Sequence, residues 1–351
     1  MPNLRVGIVG YGLAGRVFHA AILSAVPGLE FAAVVERNHS LAEQQYPSVT
    51  TYSSLQALLA DPSISLVVVA TPTSTHVEVT RQALLAGKHV VCDKPMGIVA
   101  SDIADLAALA SSLGLILAPY HNRRFDNDFQ TIQKLLHEVK LGKVVSFEST
   151  FDRWRPHPNP AAWREAPGDG SGILLDLGTH LVDQALLLFG LPLAVSAEVL
   201  IERPDAQAID SFTIRLRYAD KIATLAGNCL AAIPRPRYTV RGTLGNYVKH
   251  GLDPQEAAIR FTDHPKIAEP WGREPSSDWG TLATDHAGIL VTQSVESIPG
   301  DYRLFYAAVR DAILHQTAPP TTPQDAFHTA RVLEHAQQSS REHREIPYIR
   351  D

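Results

Sequence analysis

The sequence predicts an α/β protein in two parts: a doubly wound parallel sheet, then a domain of half-exposed, mostly antiparallel strands. Three observations predict it. Over the first 120 residues, apolar runs rich in valine alternate with helical stretches, the rhythm of parallel β-α-β units. A Gly-x-Gly-x-x-Gly run stands at the first strand-to-helix junction. After about residue 120 the pattern becomes strict alternation, as in Ser211-Phe212-Thr213-Ile214-Arg215-Leu216-Arg217-Tyr218, the mark of antiparallel strands with one face in water.

Taken in order, Val6–Gly10 is a short apolar strand ending in glycine, and Ala14–Ala25 is the helix after it. Phe31–Val35 is the second strand, followed by short helices at Ser40–Tyr46 and at Ser53–Ala60, the latter capped by Ser53. Leu66–Ala70 is an almost pure β-branched strand. Ser74–Ala86 is helical, with Ser74 as its N-cap and Gly87 as the residue that ends it. His89–Cys92 is a strand, Ser101–Ser112 a helix and Leu115–Ala118 a strand. Asn127–Lys140 is a long amphipathic helix. Strands are expected at Val144–Phe151, Ala194–Ile201, Phe212–Tyr218, Ile222–Ala231 and Tyr238–Thr243, with one helix, Leu174–Phe189, among them. Asp263–Gly280, rich in Pro, Gly and charge, reads as a surface loop. Tyr302–Gln316 and Pro323–Arg341 are helices, and nothing in their pattern assigns them to either part. The domains are therefore expected at 1–120 and 121–351.

Composition narrows the function. The 351 residues are 45% hydrophobic and 19% charged, enough to bury a large core. A net charge of −6 provides no basic field for nucleic acid or an anionic membrane. The longest apolar run is far too short to span a bilayer. Two cysteines, Cys92 and Cys229, make no disulfide framework, which fits a reducing cytoplasm.

Gly10-Tyr11-Gly12-Leu13-Ala14-Gly15 has the strand before it and the helix after it that a dinucleotide site requires. The first glycine permits the tight turn, the second admits a pyrophosphate, and the third lets helix meet strand. Glu36 ends the second strand, 21 residues after Gly15, where a carboxylate accepts from a ribose 2′-hydroxyl and favours NAD. Arg37 beside it suits the 2′-phosphate of NADP. Both cofactors stay open, with Glu36 leaning to NAD. Thr71, Pro72 and His76 follow the Leu66–Ala70 strand, and ligands of such folds sit beyond the carboxyl ends of strands.

Cys92-Asp93-Lys94-Pro95 ends another strand, so Lys94 faces the same crevice, where it can hydrogen-bond a hydroxyl or an oxyanion. Asp176 and His180 stand four apart on the second domain's helix, after the flexible Gly168–Gly172 loop. They read as an acid/base pair, as metal ligands or as a structural polar pair. Histidine suits proton transfer near neutral pH. No further His or Cys cluster has ligand spacing, so no metal is expected. Arg153-Trp154 and Trp163-Arg164 place aromatic and cationic groups ahead of the glycine loop, suited to a sugar-like ring or to domain contacts.

Together, Gly10–Gly15, Ala86-Gly87-Lys88-His89-Val90-Val91-Cys92-Asp93-Lys94-Pro95 and Asp176-Leu177-Gly178-Thr179-His180 resemble the glucose-fructose oxidoreductase / inositol dehydrogenase / rhizopine catabolism family. The resemblance spans nearly the whole chain. Gly10–His19, Tyr120–Phe129 and Lys249–Gln255 look like the subgroup containing NADP-dependent scyllo-inositol dehydrogenases.

This resemblance implies a Rossmann domain plus an α+β domain whose large, mostly antiparallel open sheet makes a homodimer or homotetramer. It implies that Lys94 is the lysine of the Glu-Lys-Pro motif, although the acid here is Asp93, one methylene shorter. It matches Asp176 and His180 to the Asp-x-x-x-His pair, and Trp163-Arg164 to the Trp-Arg pair near the nicotinamide. Asp93, Lys94, Pro95 and Asn122 join the expected cofactor contacts, and Tyr120, Arg153 and Trp154 the expected substrate contacts. The implied activity is NAD(P)-dependent hydride transfer at a secondary hydroxyl of a cyclic polyol, sugar or sugar derivative, at the seam of the two domains. A dinucleotide-binding regulator on the same fold is the alternative.

Overall fold

Leu66–Val69 has no exposed residue, the signature of a strand covered on both faces. In the computed structural model, which describes residues 3–36, 41–159, 161–168, 170–260 and 271–349, this run lies in the middle of a six-stranded sheet. The strands are β1 (Leu4–Val9), β2 (Leu29–Val35), β3 (Thr50–Tyr52), β4 (Leu66–Val69), β5 (His89–Cys92) and β6 (Leu117–Pro119). Their order is β3-β2-β1-β4-β5-β6, with every pair parallel. The order reverses between β1 and β4, where such sheets open a crevice beyond the strand ends.

The helical segments between these strands are a wide turn, Ala14–Ala20, running into α1 (Ala21–Leu23), then α2 (Leu41–Gln45), α3 (Leu55–Leu59), α4 (His76–Leu85) and α5 (Ala100–Ser112). Two capping expectations change. Ser54, not Ser53, caps α3, with its hydroxyl accepting from the Ala57 N–H at 3.2 Å. Before α4, Thr73–Thr75 forms a tight 3₁₀ turn, and Thr75 rather than Ser74 holds the chain there.

The sheet belongs to a unit formed by Met1–Phe125, Pro254–Trp271 and Asp301–Phe327. The helix Arg303–His315 is part of it: Tyr302, Phe305, Tyr306 and Val309 join Val6, Ile8 and Val34 in one buried cluster.

The second unit comprises Asp126–Asp253, Gly272–Gly300 and His328–Asp351. It carries the helices α6 (Asn127–His137) and α7 (Thr179–Phe189) and most of the helix Pro323–Glu342. Its strands are β7 (Val144–Asp152), β8 (Ala194–Leu200), β9 (Ser211–Arg217), β10 (Ile222–Asn228), β11 (Tyr238–Gly242), β12 (Gly245–Lys249), β13 (Gly280–His286), β14 (Ile289–Val295) and β15 (Ile346–Pro347). They form one sheet in the order β14-β13-β12-β11-β7-β10-β9-β8-β15. Among the described residues of this sheet, only β7 and β10 pair in parallel. Along β9, Phe212, Ile214 and Leu216 are buried while Arg215 and Arg217 are exposed, as the alternation predicts.

A buried polar cluster joins α7 to this sheet. Gln184 accepts from Arg237 Nη2 at 3.0 Å and from the Tyr238 hydroxyl at 2.8 Å. Arg237 also donates to Ser149 Oγ and lies 3.6 Å from Asp128. A buried guanidinium needs such partners, because its charge is costly to desolvate.

Strands β3, β12, β13, β14 and β15 and the helix Gln255–Arg260 are additions to the sequence reading. Of the expected Asp263–Gly280 loop, residues 261–270 lie outside the described residues, and Gly280 is the first residue of β13. Only glycine fits there, since a Cβ would enter the Tyr247 ring.

Candidate active site

The glycine run forms a cradle at the end of β1. Gly10 has φ +97°, and a Cβ there would come 2.7 Å from the Ala70 carbonyl oxygen. A Cβ on Gly15 would overlap the Gly10 carbonyl, so the third glycine sets how closely helix meets strand. A Cβ on Gly12 would meet nothing within 4 Å. The second glycine thus borders open space, as it must if a pyrophosphate approaches the backbone there. The helical turn that begins at Ala14 has no side-chain cap, and Leu13 before it is exposed, which leaves its first N–H groups to an anion. These residues fit a dinucleotide.

Tyr11 turns inward. Its ring stacks on Phe31, and its hydroxyl donates to Gln45 Oε1 at 2.9 Å. Glu36 follows β2, where one carboxylate oxygen accepts from the Ala42 N–H at 3.2 Å. Arg37 lies outside the described residues.

The loops after β4 and β5 are tied together by one side chain. His76 Nδ1 lies 2.8 Å from the Pro95 carbonyl, and Nε2 lies 2.8 Å from the Thr71 carbonyl. Carbonyls only accept, so both ring nitrogens donate and the ring is an imidazolium. Burial opposes that charge, but Cys92 and Asp93 beside it and the Pro95 carbonyl favour it, and the pKa is raised to about 9. His76 is 1% exposed, so it shapes the crevice through the two loops it joins. Thr75 Oγ1 stands 2.7 Å from Thr71 Oγ1 and 2.8 Å from the Pro72 carbonyl, bracing the first loop.

Asp93 accepts from the Lys94 N–H at 2.8 Å, so the carboxylate fixes the backbone from which Lys94 extends. The Lys94-Pro95 peptide is cis. On its other side, Asp93 Oδ2 is 3.8 Å from His19 Nε2, and His19 Nδ1 meets the Tyr306 hydroxyl at 2.6 Å. Burial raises the Asp93 pKa, but His19, Lys94 and His76 outweigh it and hold the group near 2. Motif reading takes in His19 without giving it a role and misses Tyr306. His19 is buried next to the glycine run, and Tyr306 arrives from 287 residues away.

Tyr120, expected at the substrate, is a core residue instead. It is 1% exposed, its ring packs on His19, Phe305 and Tyr306, and its hydroxyl donates to the Phe18 carbonyl. Asn122 is buried in the short turn Asn122–Phe125.

In the second unit, Asp176 lies in a wide helical turn, Leu174–Gly178, that leads into α7, and buried His180 follows on that helix. Wide turns of this kind recur at functional sites. Two guanidiniums flank the Asp176 carboxylate, Arg153 Nη1 at 3.4 Å and Arg164 Nε at 3.5 Å. Arg164 also stacks on Trp163, 4.4 Å from the ring centroid. Trp154 is 57% exposed and bridges to Leu230 through its backbone. The structure therefore brings Arg153, Trp163, Arg164 and Asp176 together.

The segment carrying Trp163 and Arg164 is anchored by Arg203, which carries no motif. Arg203 is 4% exposed and holds Asp210 at 2.9 Å, Glu165 at 3.2 Å and the Arg155 carbonyl at 3.0 Å. Glu165 also accepts from the Asn159 N–H.

Comparison with known proteins covers both units. Residues 4–121 match a family model described as the oxidoreductase family, NAD-binding Rossmann fold. Residues 133–348 match the C-terminal alpha/beta domain of the same oxidoreductase family. An uncharacterized oxidoreductase of Escherichia coli, YdgJ, is 41% identical over 340 residues, covering 95% of each chain. The scyllo-inositol 2-dehydrogenase (NADP(+)) IolW of Bacillus subtilis is 36% identical, covering 99% of this chain and 96% of its own. Among solved structures, the oxidoreductase yvaA of Bacillus subtilis superposes with a TM-score of 0.95 at 34% identity, covering 99% of both chains.

Proposed function

The chain belongs to the oxidoreductase family with an NAD-binding Rossmann fold and a C-terminal alpha/beta domain, and from that premise we propose that it transfers a hydride between a nicotinamide cofactor and a secondary hydroxyl or ketone of a cyclic polyol, a sugar or a sugar derivative. The observation that carries this reading is that one chain holds the open glycine cradle, the braced Lys94 loop and the Asp176–His180 segment. The naming of a full-length relative as a scyllo-inositol dehydrogenase supports the polyol class.

A nicotinamide cofactor held by this domain would supply the hydride acceptor or donor. The remaining work belongs to the chain. His180 accepts the hydroxyl proton in oxidation and returns it in reduction. Asp176, between Arg153 and Arg164, orients the substrate and the imidazole. Lys94 stabilises the developing alkoxide or passes on its proton. Gly10, Gly12, Gly15, Glu36, Thr71 and Pro72 would hold the cofactor, and the Trp163-Arg164 pair is a candidate contact for its nicotinamide. Glu36 supports NAD and the name of the Bacillus subtilis relative supports NADP, so both are tested. The working form is a cytoplasmic homodimer or homotetramer that uses the open sheet, with a small molecule as its partner and neither nucleic acid nor membrane. Among the described residues no helix is long and apolar enough to cross a membrane.

His180→Ala and Lys94→Ala are each expected to lower kcat by roughly 100-fold or more, with His180→Ala leaving binding of the reduced cofactor intact. Near-normal turnover of both variants would remove this mechanism.

A further inference from the structure

The two edges of the nine-stranded sheet are built differently. One edge is β15, two residues long and ending in Pro347, a residue with no N–H to offer a neighbour. Short edge strands and edge prolines are how soluble proteins prevent unwanted strand pairing. The other edge is β14, seven residues with the sequence Ile-Leu-Val-Thr-Gln-Ser-Val. It has no charge, no proline and no glycine, and Ile289, Leu290 and Val291 are 68%, 71% and 42% exposed. Among the described residues nothing pairs with this edge, and a long, uncharged, apolar edge is an aggregation site unless something pairs with it.

The hairpin geometry shows which backbone groups that edge presents. β13 and β14 are joined by a two-residue turn, Ala287-Gly288, with φ +56° and +84°, and the pair His286–Ile289 closes it. Two positive φ values mark the tight hairpin turn whose closing residues exchange both backbone hydrogen bonds. Counting along the antiparallel ladder in steps of two, Ile289, Val291, Gln293 and Val295 turn their N–H and C=O groups toward β13. Leu290, Thr292 and Ser294 turn theirs outward.

This outward set is symmetric about Thr292. Against a second antiparallel copy of β14, Thr292 meets Thr292 on a two-fold axis and Leu290 meets Ser294 on each side. The arrangement makes about six new backbone hydrogen bonds and places no charge opposite another. A self-complementary patch of this kind is what a two-fold interface requires. We infer that β14 pairs with β14 of a second copy of this chain, so that the two sheets continue into one across a two-fold axis at Thr292. The inference deepens the oligomer proposed above by naming the contact that makes it.

The test is the solution mass of the full chain and of Thr292→Pro, measured by light scattering over a dilution series. Proline removes one outward N–H and leaves the hydrogen bonds to β13 in place. The wild type is expected at twice or four times the chain mass, and Thr292→Pro at half the wild-type value, with Thr292→Ala unchanged. A monomeric wild type overturns both the pairing and the oligomer. An oligomer whose mass is the same in Thr292→Pro overturns the pairing alone and leaves contact through the sheet face. Hydrogen exchange on the wild type tests the same contact without any substitution. The Leu290, Thr292 and Ser294 amides should be protected and lose protection on dilution, and free exchange at all concentrations contradicts the inference.

Discussion

His76 gives both ring nitrogens to carbonyl oxygens, one on each of two loops at the crevice. Its charge is therefore coupled to folding. The unfolded ring titrates near 6.5 and the folded ring near 9, so its contribution is complete below pH 6.5 and is lost as pH rises through 9. Thermal unfolding from pH 6 to 9.5 should show a falling Tm, and His76→Phe should remove most of that slope and lower Tm at pH 6. A slope that persists unchanged in His76→Phe contradicts the assignment. Asp93 acts at the other end of the scale. Its depressed pKa contributes stability above about pH 4 that is lost as pH falls toward 2. The sequence places Asp93 and Lys94 at a strand end, but it does not show the partners. His19 looks like one more residue of a buried helix, and the Tyr306 that fixes it is separated by 287 residues.

At the scale of elements, the glycines of the first loop do different work and should fail differently. Gly12→Ala places a methyl group in open space, so the protein should fold with a Tm within a few degrees of wild type, while the cofactor Kd rises about tenfold or more. Gly15→Ala drives a methyl group into the Gly10 carbonyl and should cost about 1–3 kcal/mol of stability, read from denaturant midpoints. Equal effects on folding and binding in the two variants would contradict this division. The motif reading is most informative here, because each glycine answers a local steric demand. It is least informative for the Trp163-Arg164 segment, whose position depends on a buried ion cluster contributed from elsewhere in the chain. Arg203→Leu leaves Asp210 and Glu165 without their cation and should cost about 3 kcal/mol or more, with a rise in substrate KM.

At the scale of the whole molecule, the parallel sheet is readable because strands buried on both faces are continuous apolar runs, and β4 is the extreme case. The alternating strands β7 to β11 are readable because one face is wet. Strands β12 to β14 are not, because glycines at the starts of β12 and β13 look like loop signals and β14 is exposed along all but its last residue. The helix Arg303–His315 joins the first unit through aromatic packing with distant residues, which periodicity does not report. The site reads in part: the sequence singles out Asp176, Arg153 and Arg164, and the structure brings both guanidiniums within 3.5 Å of the Asp176 carboxylate, whereas Tyr120 is core. The central claim, hydride transfer on a polyol or sugar, is tested most directly by initial rates over a panel of inositols and sugars, with NAD and NADP in parallel and with His180→Ala beside the wild type. The account predicts turnover with at least one pair and a loss of roughly 100-fold or more in His180→Ala. Tight cofactor binding with no turnover on any polyol or keto-sugar would contradict it.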